Sequence, residues 1–100
     1  MKMYIVIKDW VPTGHALNTA AHAGLLGWLN FQEHADTQDW LKNSFKKVTC
    51  MVSEEEFEQL KTIDHCAVIT ESRLDDAEVG LVLAPRKEWP DIMKTLRLWK

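Results

Sequence analysis

The sequence predicts an α/β fold, a three-layer α/β/α sandwich in which a four-stranded mixed sheet carries helices on both faces. Short apolar runs rich in β-branched residues alternate with segments of helical periodicity. Strands separated by helices require crossover connections, which are typical of parallel or mixed sheets covered on both faces. The hydrophobic share of 46% in 100 residues is enough for one core, so we expect a single domain over residues 1–100.

The first predicted elements are a strand at residues 3–7 and a helix at residues 15–31. Turn residues separate the two, and Thr13 or Gly14 is the expected helix cap. One face of this helix carries only small residues, which predicts close packing against a sheet or another helix. These residues are Ala16, Ala20, Ala23 and Gly27.

Two further helices flank the second predicted strand. Residues 36–45 form the first of these helices, and residues 48–52 form the strand. The other helix begins after Ser53 and continues to about residue 62. The spacing from Ser53 to Glu56 matches a capping box, which marks a helix start.

The last part of the chain predicts two strands and a closing helix. The strands are residues 66–70 and 79–84, and the short link between them indicates an antiparallel hairpin. Pro90 is suited to the first turn of a helix over residues 89–96. The predicted order is therefore β-α-α-β-α-β-β-α.

Composition limits the classes of function. A net charge of −3 argues against a protein that coats nucleic acid by bulk charge. No apolar run approaches the roughly 20 residues of a membrane helix, and Cys50 and Cys66 lie in strand-like runs as expected free thiols. We therefore expect a cytoplasmic protein that does not enter membranes. We also expect no metal and no cofactor, because metal-ligand spacings and nucleotide-binding glycine motifs are missing from the sequence.

The strongest candidate for chemistry is the start of the first predicted helix. His15, Thr19 and His22 share one helix face, and His15 follows the strand-to-helix loop, where ligands bind in open α/β sheets. The alternative for His22 is an interior histidine with a hydrogen-bond partner. Trp10 lies in the same loop and could stack on a base or ribose, and Glu71 is among the carboxylates that could orient a histidine base.

Several segments resemble the type II peptidyl-tRNA hydrolases. Residues 3–9 (Met-Tyr-Ile-Val-Ile-Lys-Asp), 14–15 (Gly-His) and 20–23 (Ala-Ala-His-Ala) resemble the start of that family. Residues 79–85 (Val-Gly-Leu-Val-Leu-Ala-Pro) and 96–98 (Leu-Arg-Leu) resemble its last strand and closing residues. The resemblance covers nearly the whole chain.

The resemblance implies hydrolysis of the ester that joins a peptide to tRNA. By position, the family's active-site Lys becomes His15, its Gln becomes Thr19, its His is retained as His22, and its Asp falls near Glu71. The family's Thr has no counterpart in residues 72–74 (Ser-Arg-Leu). Loss of the Lys removes a fixed positive charge, but a neutral histidine can still act as a base.

Two functions from different classes follow. In the first, the chain is a hydrolase with His15 as general base and Glu71 as its partner, while Thr19 and His22 shape the pocket. The substrate-binding residues would be Trp10, Thr19, Arg73, Arg86 and Lys87, with the three basic residues on phosphates. In the second, the chain is a catalytically silent module that binds RNA or a protein. tRNA is the expected partner, and the small-residue stripe and five tryptophans leave a homodimer open.

Overall fold

The computed structural model describes residues 1–100 as a mixed α/β structure with three α-helices and one five-stranded mixed sheet. The strands are β1 (Lys2–Lys8), β2 (Lys46–Val52), β3 (Cys66–Glu71), β4 (Ala77–Leu83) and β5 (Arg97–Leu98), and the helices are α1 (Thr13–Phe31), α2 (Ala35–Asn43) and α3 (Glu54–Leu60). Short 3₁₀ helices cover Ser72–Leu74 and Asp91–Thr95. The strand order is β3-β4-β1-β2-β5, in which β1 and β2 are parallel and the other neighbours antiparallel.

The prediction of four strands and a closing helix was wrong at the C-terminus. The predicted helix over residues 89–96 is only a short 3₁₀ helix, and β5 follows it as a fifth strand. Arg97 pairs with Met51 and Leu98 with Cys50, so this segment covers the edge that β2 would otherwise expose. A helix this short has little intrinsic stability, and strand pairing satisfies its backbone groups instead.

Alternating side chains on the strands build two hydrophobic clusters. On β1, Met3, Ile5 and Ile7 join the cluster that contains Ala16 and Ala23 of α1. Val6 points to the other face and joins the cluster that contains Phe57 and Leu60 of α3. Residues of α1 and α3 therefore belong to different clusters, as the period of two along β1 requires.

The small-residue stripe of α1 lets the helix lie close to the sheet, as predicted. Ala16, Ala23 and Gly27 are buried. A Cβ atom on Gly27 would lie 2.6 Å from the Met3 side chain, and one on Gly80 of β4 would lie 2.6 Å from the backbone oxygen of Val6. Gly80 is therefore required by its close approach to the backbone of β1, whereas a Cβ at Gly27 would meet the flexible end of the Met3 side chain, which can move.

Two local predictions are confirmed. The strands β3 and β4 form an antiparallel hairpin, with Ile69 paired to Gly80. Ser53 caps α3 by accepting a hydrogen bond from the Glu56 backbone, while the Glu56 carboxylate accepts one from the Ser53 backbone. The α1 cap differs from the prediction, since Pro12 occupies the N-cap position without a side-chain hydrogen bond.

None of the helices combines the length and the apolar composition that crossing a membrane would need.

Candidate active site

The C-terminal ends of β1 and β3 lie at the same end of the sheet, called here its carboxyl edge, because both strands run antiparallel to β4, which lies between them. The loop that follows β1 leads into α1, and the 3₁₀ helix Ser72–Leu74 follows β3. This edge therefore collects the residues of the β1–α1 loop and those at the end of β3.

The edge brings together His15 and Glu71, which are 56 positions apart in the sequence. The Nδ1 atom of His15 lies 3.3 Å from Oε1 of Glu71, and their side chains are 27% and 18% exposed. When Nδ1 carries the proton it donates to the carboxylate, which leaves Nε2 with a lone pair. Partial burial keeps the pair together while one side stays open to solvent.

A hydrogen bond within α1 fixes the position of His15. The Thr19 hydroxyl donates to the carbonyl of His15 at 2.8 Å. Thr19 is itself only 3% exposed and packs over Gly80, where a Cβ atom would come within 3.1 Å of Thr19 Cγ2. Thr19 was predicted to bind substrate, and its observed contacts instead anchor the first turns of α1 against β4.

The carboxylate of Glu71 is held in its ionised form. Burial raises the pKa of Glu71, but hydrogen bonds from His15 and from the backbone of Arg73 and Ser72 outweigh this effect and lower the pKa overall. Glu71 is therefore an anion at neutral pH. An anionic partner stabilises the positive charge that a histidine acquires when it accepts a proton.

The first turn of α1 has free backbone donors. Its N-cap residue is Pro12, which makes no side-chain cap, and the turn contains no acidic residue. The space around Gly14 is open, because a Cβ atom added there would have no heavy atom within 4 Å outside its chain neighbours and its own helix backbone. The free amides and the helix dipole make this end of α1 suitable for negative charge.

A second group of contacts lies on the β2 side of the same edge. The Trp10 indole Nε1 donates to Oε1 of Glu54 at 2.8 Å. The other carboxylate oxygen lies 3.0 Å from Nζ of Lys8. Lys8 also lies over the ring of Phe57, at 4.3 Å from its centroid.

Sequence reasoning missed two residues at this edge, Glu54 and Arg97. Glu54 appeared to be only one of several acidic residues at a helix start, and a capping pattern does not reveal its contact with Trp10. Arg97 lies on β5 with its side chain 59% exposed, and Nη2 is 3.8 Å from Oδ2 of Asp9. Its position depends on the fifth strand, which the sequence pattern did not indicate.

Two predicted phosphate contacts lie elsewhere. Because β4 starts beside Glu71 and ends beside Tyr4, Arg86 and Lys87 follow it at the opposite edge of the sheet. Arg86 forms an ion pair with Asp64 at 3.3 Å and lies over Trp89. The structure therefore does not bring Arg86 and Lys87 to His15.

The remaining predicted residues occupy exposed positions. His22 is exposed on α1, outside the His15–Glu71 pair, so it is not the interior histidine considered as the alternative. Arg73 is exposed in the 3₁₀ helix that follows Glu71. Arg73 is thus the one predicted phosphate ligand that lies at the edge of the candidate site.

An apolar cavity of about 130 Å³ lies between α1 and the sheet, beginning at the residue after His15. Small side chains on α1 leave this space open, and Trp99 closes part of it. Its lining consists of Ile7, Ala16, Leu17, Ala20, Thr49 and Trp99. Neither His15 nor Glu71 lines this cavity, whose strand residues belong to β1 and β2.

A search against models of protein families finds no family that matches the chain, and a search of curated proteins finds no matching sequence.

Proposed function

We propose that the chain hydrolyses an ester of the peptidyl-tRNA type, with His15 as general base and Glu71 as the residue that orients it. The observation that carries this proposal is the 3.3 Å contact between His15 Nδ1 and Glu71 Oε1 at the carboxyl edge of the sheet. These are the two positions that the resemblance to type II peptidyl-tRNA hydrolases assigns to chemistry. In this proposal the fold is a three-layer variant in which β5 replaces the expected closing helix.

The contact supports a hydrolysis in which water is the nucleophile. Nε2 of His15 takes a proton from water while the oxygen of that water bonds to the ester carbonyl carbon, and Nδ1–H stays bound to Glu71. The tetrahedral intermediate then collapses, the bond to the ribose oxygen breaks, and His15 returns its proton to that oxygen. The products are a peptide carboxylic acid and a free tRNA 3′ end.

The free backbone amides at the start of α1 are a second feature that supports this chemistry. A tetrahedral intermediate carries negative charge on the former carbonyl oxygen, and backbone donors that are already in place stabilise it without reorganisation. In the family that the sequence resembles, a lysine occupies the position of His15. Here the positive dipole end of α1 is the local source of positive potential.

The basic residues at the same edge support a nucleic-acid substrate. Arg73 and Arg97 are exposed there and can contact phosphates. Arg86 is excluded from this role by its place at the opposite edge. A tRNA substrate assigns the proposed activity to the cytoplasm.

The test is release of tRNA from a peptidyl-tRNA by purified protein, measured for wild type, His15→Ala and Asn18→Ala. Asn18 is an exposed residue of the same helix and serves as the matched control. We expect His15→Ala to reduce kcat by at least about 100-fold, since general base catalysis contributes roughly 10²–10⁴-fold, while the protein stays folded with only a small loss of stability. Asn18→Ala should retain the wild-type rate.

An equal rate in wild type and His15→Ala would refute the proposal. If wild type releases no tRNA but binds it in a salt-dependent manner, the chain is the binding module that was the alternative.

A further inference from the structure

The Trp10 side chain is held in one orientation by a group of charges, although it lies on the surface. Its ring is 45% exposed. The Glu54 carboxylate accepts the indole N–H at 2.8 Å through one oxygen and binds Lys8 at 3.0 Å through the other. Hydrogen bonds to an ionised carboxylate are short and stronger than neutral ones.

The lysine makes this arrangement rigid. The Lys8 side chain is 9% exposed, whereas that of Glu54 is 59% exposed. Lys8 is therefore fixed among buried groups on β1, with Phe57 at 4.3 Å beneath it. A nearly buried ammonium requires a partner, so it keeps the Glu54 carboxylate in place.

We propose that Trp10 is a stacking platform for the unpaired nucleobase next to the scissile ester, and that Glu54 is a positioning residue that fixes the plane of the Trp10 ring. This inference rests on the proposed function, because it defines which part of the substrate the site recognises. A large exposed aromatic ring with its polar atom already bonded has only its faces left for a ligand. Stacking on such a face suits any base and depends little on sequence.

The layout of the sheet favours an extended ligand over a compact one. Glu71 ends β3 and Glu54 follows β2, and these strands are three spacings apart, or about 14 Å. A ligand that contacts both groups must be extended. An acyl group joined to a terminal nucleoside has this form, with the ester near His15 and the base over Trp10.

The acids nearest Trp10 are each paired with a cation. Lys8 binds Glu54 at 3.0 Å and Arg97 binds Asp9 at 3.8 Å, while Glu55 is exposed next to Glu54. Arg97 remains 59% exposed and can contact the phosphate that follows the nucleobase. Of the two cations near Trp10, Lys8 is nearly buried and Arg97 is largely exposed.

The experiment measures binding without catalysis and then kinetics. Binding of a single-stranded RNA trinucleotide ending in adenosine is measured by calorimetry for wild type, Trp10→Ala, Trp10→Phe, Glu54→Ala, the double variant Trp10→Phe/Glu54→Ala, and Glu55→Ala. Glu55 is the exposed neighbour of Glu54 in α3 and is the matched control. Kinetic constants are then measured for peptidyl-tRNA and for an N-acetyl amino acid ethyl ester.

We expect Trp10→Ala to weaken trinucleotide binding at least about fivefold, the lower end of the usual stacking contribution. The same variant should raise KM for peptidyl-tRNA by a similar factor, and by more than it raises KM for the small ester, while Glu55→Ala should leave both substrates' kinetics unchanged. Trp10→Phe should retain most of the affinity. Glu54→Ala should weaken binding in the wild-type background but not in the Trp10→Phe background, because phenylalanine has no N–H for Glu54 to accept.

Failure of this inference can be told from failure of the proposed function. Normal hydrolysis with a Trp10→Ala variant that binds as wild type does would overturn the inference alone. Binding that depends on Trp10 without any hydrolysis would overturn the proposed function alone. If Trp10→Ala does not fold, the double-mutant cycle of Trp10→Phe and Glu54→Ala decides. Equal effects of Glu54→Ala on trinucleotide affinity with tryptophan and with phenylalanine at position 10 would overturn the positioning role of Glu54. Absence of trinucleotide binding by wild type would also overturn the inference.

Discussion

The proposed role of His15 as a general base depends on the negative charge of Glu71 more than on the shape of its side chain. Glu71→Gln keeps an oxygen that can accept from Nδ1 but removes the anion beside the ring. We expect kcat to fall at least about tenfold, because the imidazolium formed during proton transfer loses its counter-charge. Steady-state rates of both proteins at about pH 7 provide the test, and equal kcat values would contradict an orienting carboxylate.

Single residues also show how much of the site the sequence could predict. His15 was predictable from its place after a strand, and Glu71 from a hairpin position matched to a known family. Their partnership was predicted from the resemblance, but their distance was not, because a distance between residues 56 positions apart depends on how α1 lies on the sheet. Arg86 was assigned to the site on its charge alone, although the predicted antiparallel hairpin already places the end of β4 away from Glu71.

At the scale of elements, the approach of α1 to β4 sets the distance between His15 and Glu71. Gly80→Ala would place a methyl group 2.6 Å from the Val6 backbone oxygen and 3.1 Å from Thr19, so β4 must shift relative to both β1 and α1. We expect unfolding free energy to fall by about 1–3 kcal/mol, as for other overpacked sites. Catalysis should fall too, since Thr19 bonds the backbone of His15.

A matched control for that substitution lies on α1 itself. A Cβ atom on Gly24 would meet only the Lys47 side chain, at 3.8 Å, which is ordinary contact. Gly24→Ala should therefore stabilise the protein by about 0.5–1 kcal/mol through helix propensity. Urea unfolding of the two variants measures both effects, and a Gly80→Ala protein as stable as wild type would show that β4 and α1 are not tightly apposed.

The elements themselves were predictable to different degrees. The helix α3 was found at its correct start because Ser53 and Glu56 form a local pattern that does not depend on the rest of the chain. The strand β5 was missed because two residues have no periodicity of their own and become a strand only when β2 offers an open edge. Local sequence patterns thus predicted the elements that local interactions stabilise. They missed β5, which forms only because its backbone pairs with β2.

At the scale of the whole molecule, the reasons for expecting a homodimer have changed. The small residues of α1 are buried against the chain's own sheet, and Trp40 is buried in the same cluster. Neither is therefore free to face a second copy. The homodimer stays a prediction, and the apolar surface that remains on α1 is its outer face, where Leu17, Leu25 and Leu29 are exposed.

The stability of the whole molecule should decline in acid through its two bonded carboxylates. Burial raises the pKa of Glu71, but the hydrogen bonds that Glu71 accepts outweigh burial and lower its pKa overall. Hydrogen bonds from Trp10 and Lys8 lower the pKa of Glu54. A carboxylate whose folded pKa lies below its unfolded value stabilises the fold above the unfolded value, here about 4.5. That contribution is lost as pH falls through the folded pKa.

Urea unfolding at about pH 7 and about pH 3, on either side of the carboxylate titration, tests this dependence in wild type, Glu71→Gln, Glu54→Gln and the control Glu55→Gln. We expect the first two variants to be less stable than wild type at neutral pH and to lose less stability on acidification, because each lacks one of the carboxylates that becomes protonated. Glu55→Gln should follow the wild-type curve. An equal loss of unfolding free energy between the two pH values in all four proteins would contradict this prediction. The contacts of Glu54 and Glu71 would then not couple protonation to folding, and their hydrogen bonds to Trp10 and His15 would be too weak to hold either side chain in place.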